Sequence, residues 1–313
     1  MWDPDGHGGT RVVQARCQER TRRRCVCRRA ALATATAAVA AAGLDPCLAA
    51  GVSDPQGPVG HAEWLILLNA TAIMLVVVVP VIVLTFAFAW RYRATNDRAA
   101  YRPDWAYSGK IELVVWSIPA MVVILLAGVG WIGSHRLDPA RELAATAKPL
   151  RIEVVSLDWK WLFVYPDEHV GALNELTVPA ATPLEFELTS GTVMNAFFIP
   201  QLGSQIYTMA GMTTHLNLMA AGPGEYWGES SHFSGDGFSN MRFAVHALAP
   251  AAFAAWLAHT RATAPALGID AYLRLAGAAA TVPAQSYGSV DATLFERALR
   301  GAVQSASPPR GVN

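Results

Sequence analysis

Residues Trp64 to Trp90 read WLILLNATAIMLVVVVPVIVLTFAFAW and hold no charged side chain. A helix needs about twenty apolar residues to cross the hydrocarbon of a bilayer, and this run is longer. A helix of that length in a soluble protein would show a polar face. None is present, so the run predicts a membrane span over 63–90. Leu113 to Ser134 is uncharged as well and predicts a second span over 112–134. Pro80 and Pro119 fall inside the two runs, where neighbouring helices can satisfy the backbone groups that proline frees. Gly128, Gly130 and Gly133 offer close approach to another helix.

Outward from the spans, charge sets their direction. The connecting segment 91–111 carries Arg91, Arg93, Arg98, Arg102 and Lys110, whereas Leu48 to Glu63 has no Lys or Arg. Positive charge stays on the cytoplasmic side, so the loop is predicted to be cytoplasmic. Segment 47–62 and everything after Ser134 then face the periplasm of a Gram-negative cell. Upstream, Arg11 to Arg29 is arginine-rich and Ala30 to Gly43 is apolar. That layout predicts an export signal over 1–46, and TRRRC, Thr21 to Cys25, suggests a twin-arginine address.

Composition agrees with a membrane protein, being 53% hydrophobic and only 15% charged. A formal net charge of zero leaves no overall basic field for nucleic acid. Cys17, Cys25, Cys27 and Cys47 all precede residue 50, which excludes a disulfide or a cysteine-ligated metal from the rest of the chain.

Beyond the second span the pattern shortens. LEFELT (Leu184 to Thr189) and THLNLM (Thr214 to Met219) alternate in period two, and Pro, Gly and Asn punctuate the intervals. Short strands closed by turns predict an all-β sandwich or barrel over 150–249. The remainder, 250–313, holds an amphipathic helix in PAAFAAWLAHTRA, a further stretch over Ala271 to Gly301, and a polar tail, SPPRGVN, expected to be disordered. Trp159 and Trp161 in SLDWKWLFVYP are two residues apart, which predicts one face of a strand.

The stretch YWGESSHFSGDGFSNM, Tyr226 to Met241, gives the domain a relative. It resembles the loop of subunit II of the haem-copper oxidases, whose cytochrome c oxidase members hold a dinuclear copper centre in the pattern Cys-x-Glu-x-Cys-x3-His-x2-Met with a second His upstream. On that pattern Ser230 and Ser234 take the cysteine positions, His232 the Glu, Phe238 the His and Met241 the Met. The upstream His falls on Asn195. Copper of this kind depends on thiolates and imidazoles, which Ser230, Ser234, Phe238 and Asn195 do not supply, and only Met241 survives of the ligands in that pattern.

TVMNAFFIPQLGSQIYTMAGM, Thr192 to Met212, together with FSGDGFSNM, Phe233 to Met241, resembles the quinol oxidase branch, and the chain is similar to subunit II of the bo-type ubiquinol oxidases. The resemblance implies a cupredoxin-like sandwich behind a two-helix hairpin, with a short C-terminal arm. It also implies no redox cofactor in this chain, with haems and copper in partner subunit I, and subunits III and IV, membrane lipid, and ubiquinol at subunit I as further partners. The complex so implied oxidises quinol, reduces oxygen and moves protons outward, this subunit being non-catalytic and lodged in the inner membrane.

Single residues follow from the same resemblance. Glu112 in KIELVVWSIPA matches a family Glu at the mouth of a proton channel, although a carboxylate at a helix N-terminus is also favoured by the helix dipole alone. Cys47 stands where relatives carry a lipid-modified cysteine, yet Leu44, Asp45 and Pro46 depart from the small residues expected before it. His232 replaces a Glu that in relatives helps hold magnesium. Without an acceptor metal, Trp159 and Trp161 are expected to serve packing or contact with subunit I.

An alternative copper site from His215, His232 and His246 with Met209, Met212, Met219 and Met241 is conceivable from ligand type, but their spacing does not select it. Two other readings of the whole chain stay open at this stage. One is a copper-bearing cytochrome c oxidase subunit; the other is a stand-alone membrane-anchored binding or assembly protein.

Overall fold

Both uncharged runs are helical. The computed structural model describes residues 51–96, 98–100, 107–144, 147–276 and 282–301. The expectations for the export signal, the four cysteines, Arg102 and the SPPRGVN tail lie outside the described residues. Helix α1 spans Pro58–Arg91 and α2 spans Gly109–Arg136. Pro58 opens α1 in the first turn, where its missing N–H would have had no intrahelical partner.

The two helices are apolar on every side, and large side chains such as Phe86, Trp90, Trp116 and Ile124 stand exposed. A bilayer, or other spanning helices within one, satisfies such a surface. The helices meet at Gly133, where a Cβ would lie 2.8 Å from Ile66 Cδ1; Gly128 and Gly130 face open space.

Because the 34 residues of α1 rise about 51 Å at 1.5 Å each, α1 outruns a hydrocarbon core of about 30 Å. Its first turn therefore reaches the β domain. There the Gly60 N–H donates to the Leu202 carbonyl at 3.0 Å, and the Gln56 N–H donates to that of Gln201 at 2.7 Å. Helix starts leave such donors unpaired, so the domain caps the helix. A Cβ at Gly57 would fall 2.4 Å from the Met219 carbonyl oxygen, which requires glycine there. One turn further on, Ser204 Oγ donates to the Glu63 carboxylate.

The domain is a sandwich of strands β1 (Leu150–Leu157), β2 (Lys160–Tyr165), β3 (Val170–Leu173), β4 (Glu175–Pro179), β5 (Leu184–Ser190), β6 (Asn195–Phe198), β7 (Ile206–Thr208), β8 (Thr214–Leu218), β9 (Gly224–Ser230) and β10 (Arg242–Leu248). One sheet runs β3-β2-β1-β5-β8 and the other β4-β10-β9-β6-β7. The predicted alternation holds in β5, where Leu184, Phe186 and Leu188 are buried in the core between the sheets. Trp161, Phe163, Phe197 and Phe243 fill its centre, with Phe197 and Phe243 stacked at 5.3 Å.

The chain then closes over the domain with α3 (Pro250–Thr263), β11 (Ala266–Leu267), α4 (Ile269–Ala276), β12 (Gln285–Tyr287), β13 (Ser289–Val290) and α5 (Leu294–Leu299). β12 pairs with β3 and so covers a sheet edge. Tyr272, Tyr287, Leu294 and Phe295 form a second core against Val155, Leu157, Leu162 and Val164. The middle strands are thereby buried on both faces, which is why they read as apolar runs without alternation.

Candidate functional site

Two loops meet where the sequence pattern places its metal positions. β6 and β9 are antiparallel neighbours that pair Phe197 with Ser230. Asn195 is fully buried and Ser230 is 4% exposed. Ser230 Oγ lies 3.3 Å from Asn195 Oδ1 and 3.2 Å from the His232 carbonyl, donating toward each. Asn195 Nδ2 donates to the Val193 carbonyl at 3.2 Å.

The rest of the loop returns through a short 3-10 turn, Phe238–Asn240. Phe238 sets its ring edge-on to Phe233 at 5.7 Å, His232 stands edge-on to Tyr207 at 5.8 Å, and Met241 is buried in the domain core. Ser234 Oγ is buried without a hydrogen-bond partner among the described residues. The six pattern positions thus lie in one region, where hydrogen bonds hold Ser230 and Asn195, ring contacts hold His232 and Phe238, and Met241 packs in the core.

Trp159 belongs to this site, and here the expectation of one strand face needs correction. Leu157 pairs with Lys160, which leaves Asp158 and Trp159 as the turn between β1 and β2. Trp159 has φ +55°, uncommon for a bulky residue, whereas Trp161 points into the core. Aspartate favours turns through its local hydrogen bonds, and this turn signal outweighs the spacing of two. Trp159 Nε1 donates to the Ser234 carbonyl at 3.2 Å, and its ring lies on Gly237, where a Cβ would come within 2.3 Å. Between the two tryptophans, burial lowers the Lys160 ammonium below its ordinary range, opposed by Asp158.

The remaining histidines are elsewhere. His215 lies on β8 opposite Glu187; His246 on β10 lies 3.5 Å from Glu175 and 3.7 Å from Glu225. Among the described residues no group of three or more His, Cys, Asp or Glu is placed to hold a metal. Glu112 sits in the first turn of α2, far along the chain from the loop. Sequence reasoning missed two carboxylates. Glu63 meets Ser204, and Glu153 on β1 is raised to about 7 by burial and then by Glu187 beside it.

Comparison with known proteins decides the family. Residues 168–248 match the family model of cytochrome c oxidase subunit II, periplasmic domain. The chain is 45% identical over 261 residues to cytochrome bo(3) ubiquinol oxidase subunit 2 of Pseudomonas aeruginosa, covering 82% of this chain and 79% of that one. This chain belongs to the ubiquinol oxidase subunit 2 family. Ubiquinol oxidase subunit 2 of Acetobacter aceti is 41% identical over 246 residues, 78% of this chain and 80% of that one. A solved periplasmic domain of subunit II of cytochrome oxidase from Bradyrhizobium japonicum is 23% identical, covers 37% of this chain and 96% of that chain, and has a TM-score of 0.35.

Within the family the loop can be tested for copper. Serine hydroxyls ionise far above the thiol range of about 8.5, and Ser230 already spends its proton on neighbouring oxygens. Asn195 is committed to Ser230 and Val193, and Phe238 offers carbon only. The donor set does not fit a dinuclear copper centre.

Proposed function

We propose that this membrane-anchored subunit works in a proton-pumping quinol oxidase of the bacterial inner membrane without holding an electron itself. Ubiquinol gives its electrons to subunit I, whose haems and copper pass them to oxygen, and the sandwich domain stands on the periplasmic side. Subunits I, III and IV are the protein partners. Here the chain braces the complex, and the capped start of α1 fixes the domain to the membrane hairpin. Glu112, at the cytoplasmic mouth of α2, receives protons bound for subunit I.

The observation that carries this reading is the hydrogen bond between Ser230 and Asn195, which joins two side chains at positions where a copper-bearing relative needs ligands. The test is purification of the tagged full-length chain in mild detergent, with haem, copper and subunit content measured beside oxygen uptake. Expected are haem in copurifying subunit I, oxygen uptake driven by quinol, and no uptake driven by reduced cytochrome c. A paired-copper signal stoichiometric with this chain would overturn the reading.

A further inference from the structure

We infer that the outer end of α2 and the linker after it form a binding site for the head group of an aminophospholipid. A cavity of about 240 Å³ opens there, lined by Arg136, Asp138, Arg141 and Glu142 and walled by Val59 of α1 and Asn217 of β8. The wall is fixed, because the Asn217 N–H donates to the Pro139 carbonyl at 2.9 Å and the Arg141 N–H to that of Asp138 at 2.9 Å. Among the described residues neither guanidinium has an ion pair.

Depth selects a lipid over a soluble ligand. From Leu113 to Ser134 the helix rises about 33 Å, close to the thickness of the hydrocarbon core. Arg136 therefore stands at head-group level. One turn below it on the same face, Ile132 is 52% exposed and offers an apolar track for an acyl chain.

The charges select the head group. Two guanidinium groups match a phosphate in geometry and sign, and the two carboxylates beside them call for a cation. A phosphate carrying a primary amine meets both demands, and the cavity has room for it, since about 30 Å³ serves each water-sized group. A head group with phosphate alone would leave Asp138 and Glu142 facing added negative charge, and a quaternary amine has no proton to donate.

The test uses the tagged full-length chain with the subunits that accompany it, reconstituted with a photoreactive phosphatidylethanolamine. Labelling is expected on the peptide around Arg136 to Ala144. Unlabelled phosphatidylethanolamine should compete for it, and phosphatidylglycerol should compete roughly tenfold less well. Arg136→Gln with Arg141→Gln should cut labelling by about the same factor, while Asp138→Asn with Glu142→Gln should shift preference to phosphatidylglycerol.

Absent labelling, labelling unchanged in the arginine variant, or equal competition by phosphatidylglycerol overturns the inference. Displacement by soluble phosphoethanolamine also overturns it, by assigning the pocket to a free phosphate compound. Wild-type competition keeps the test decisive if a variant misfolds, and quinol-driven oxygen uptake in the same samples reports on the proposed function separately.

Discussion

Ser230 Oγ donates to Asn195 Oδ1 at 3.3 Å across two neighbouring strands, and both side chains are buried. Ser230→Ala strands a buried acceptor, which costs about 1–3 kcal/mol. Ser234→Ala removes a hydroxyl that has no partner among the described residues, and its expected effect is about zero or slightly stabilising. Thermal melting of the purified protein followed by tryptophan fluorescence should rank the two variants in that order. Equal melting temperatures would contradict the assigned hydrogen bond.

The contact of Trp159 with Gly237 gives a sharper perturbation. A methyl group at Gly237 would come within 2.3 Å of the indole, so Gly237→Ala must push the ring away and break its bond to the Ser234 carbonyl. Overpacking of this kind costs about 1–3 kcal/mol. A red shift and a change in intensity of tryptophan emission should accompany the lower melting temperature. Trp159→Phe, with a smaller ring and no N–H, should restore stability in part when combined with Gly237→Ala.

Much of this architecture was legible because its signals are local. The uncharged run from Trp64 declares a membrane helix, and Leu184, Phe186 and Leu188 alternate as one buried face requires. The six loop positions were assigned through the resemblance to the oxidase pattern and not through spacing alone; in the fold Ser230, His232, Ser234, Phe238 and Met241 share one short segment and Asn195 falls on the strand beside it. Less visible was the covering of Val155, Leu157, Leu162 and Val164 by an arm more than a hundred residues later. Their continuous apolarity was the available signal for a strand buried on both faces. Trp159 was misplaced because the spacing of two predicts a shared face only when no turn intervenes, and Asp158 begins one.

Glu112 stands in the first turn of α2, where a carboxylate also complements the helix dipole. The two roles separate by substitution. Glu112→Gln removes the carboxylate and loses about 0.3–1 kcal/mol of dipole interaction. A proton-entry role predicts a several-fold loss of quinol-driven turnover with haem content intact, and partial recovery in Glu112→Asp. A purely structural role predicts unchanged turnover and proton pumping in the assembled enzyme.

The docking of the C-terminal arm should weaken as pH rises. Glu153 lies on β1 beside Glu187 of β5, its register partner, with Glu296 of α5 adding negative charge and Arg151 opposing it. Burial, followed by Glu187, raises its pKa from 4.5 to about 7. Between those values the folded form keeps a proton that the unfolded form has released, so stability is full below the lower value and is lost as pH climbs through the higher one. Asp291, in the same small pocket as Glu153 and His169, is held below its ordinary 3.8 by the Thr293 N–H and hydroxyl. Its contribution is lost only at more acidic pH, outside this window. Hydrogen exchange of α5, Leu294–Leu299, should therefore quicken from pH 5 to pH 8 beyond the intrinsic rise in exchange rate. Glu153→Gln should abolish that excess and protect the helix at pH 8, whereas an unchanged excess would place the titration on another group.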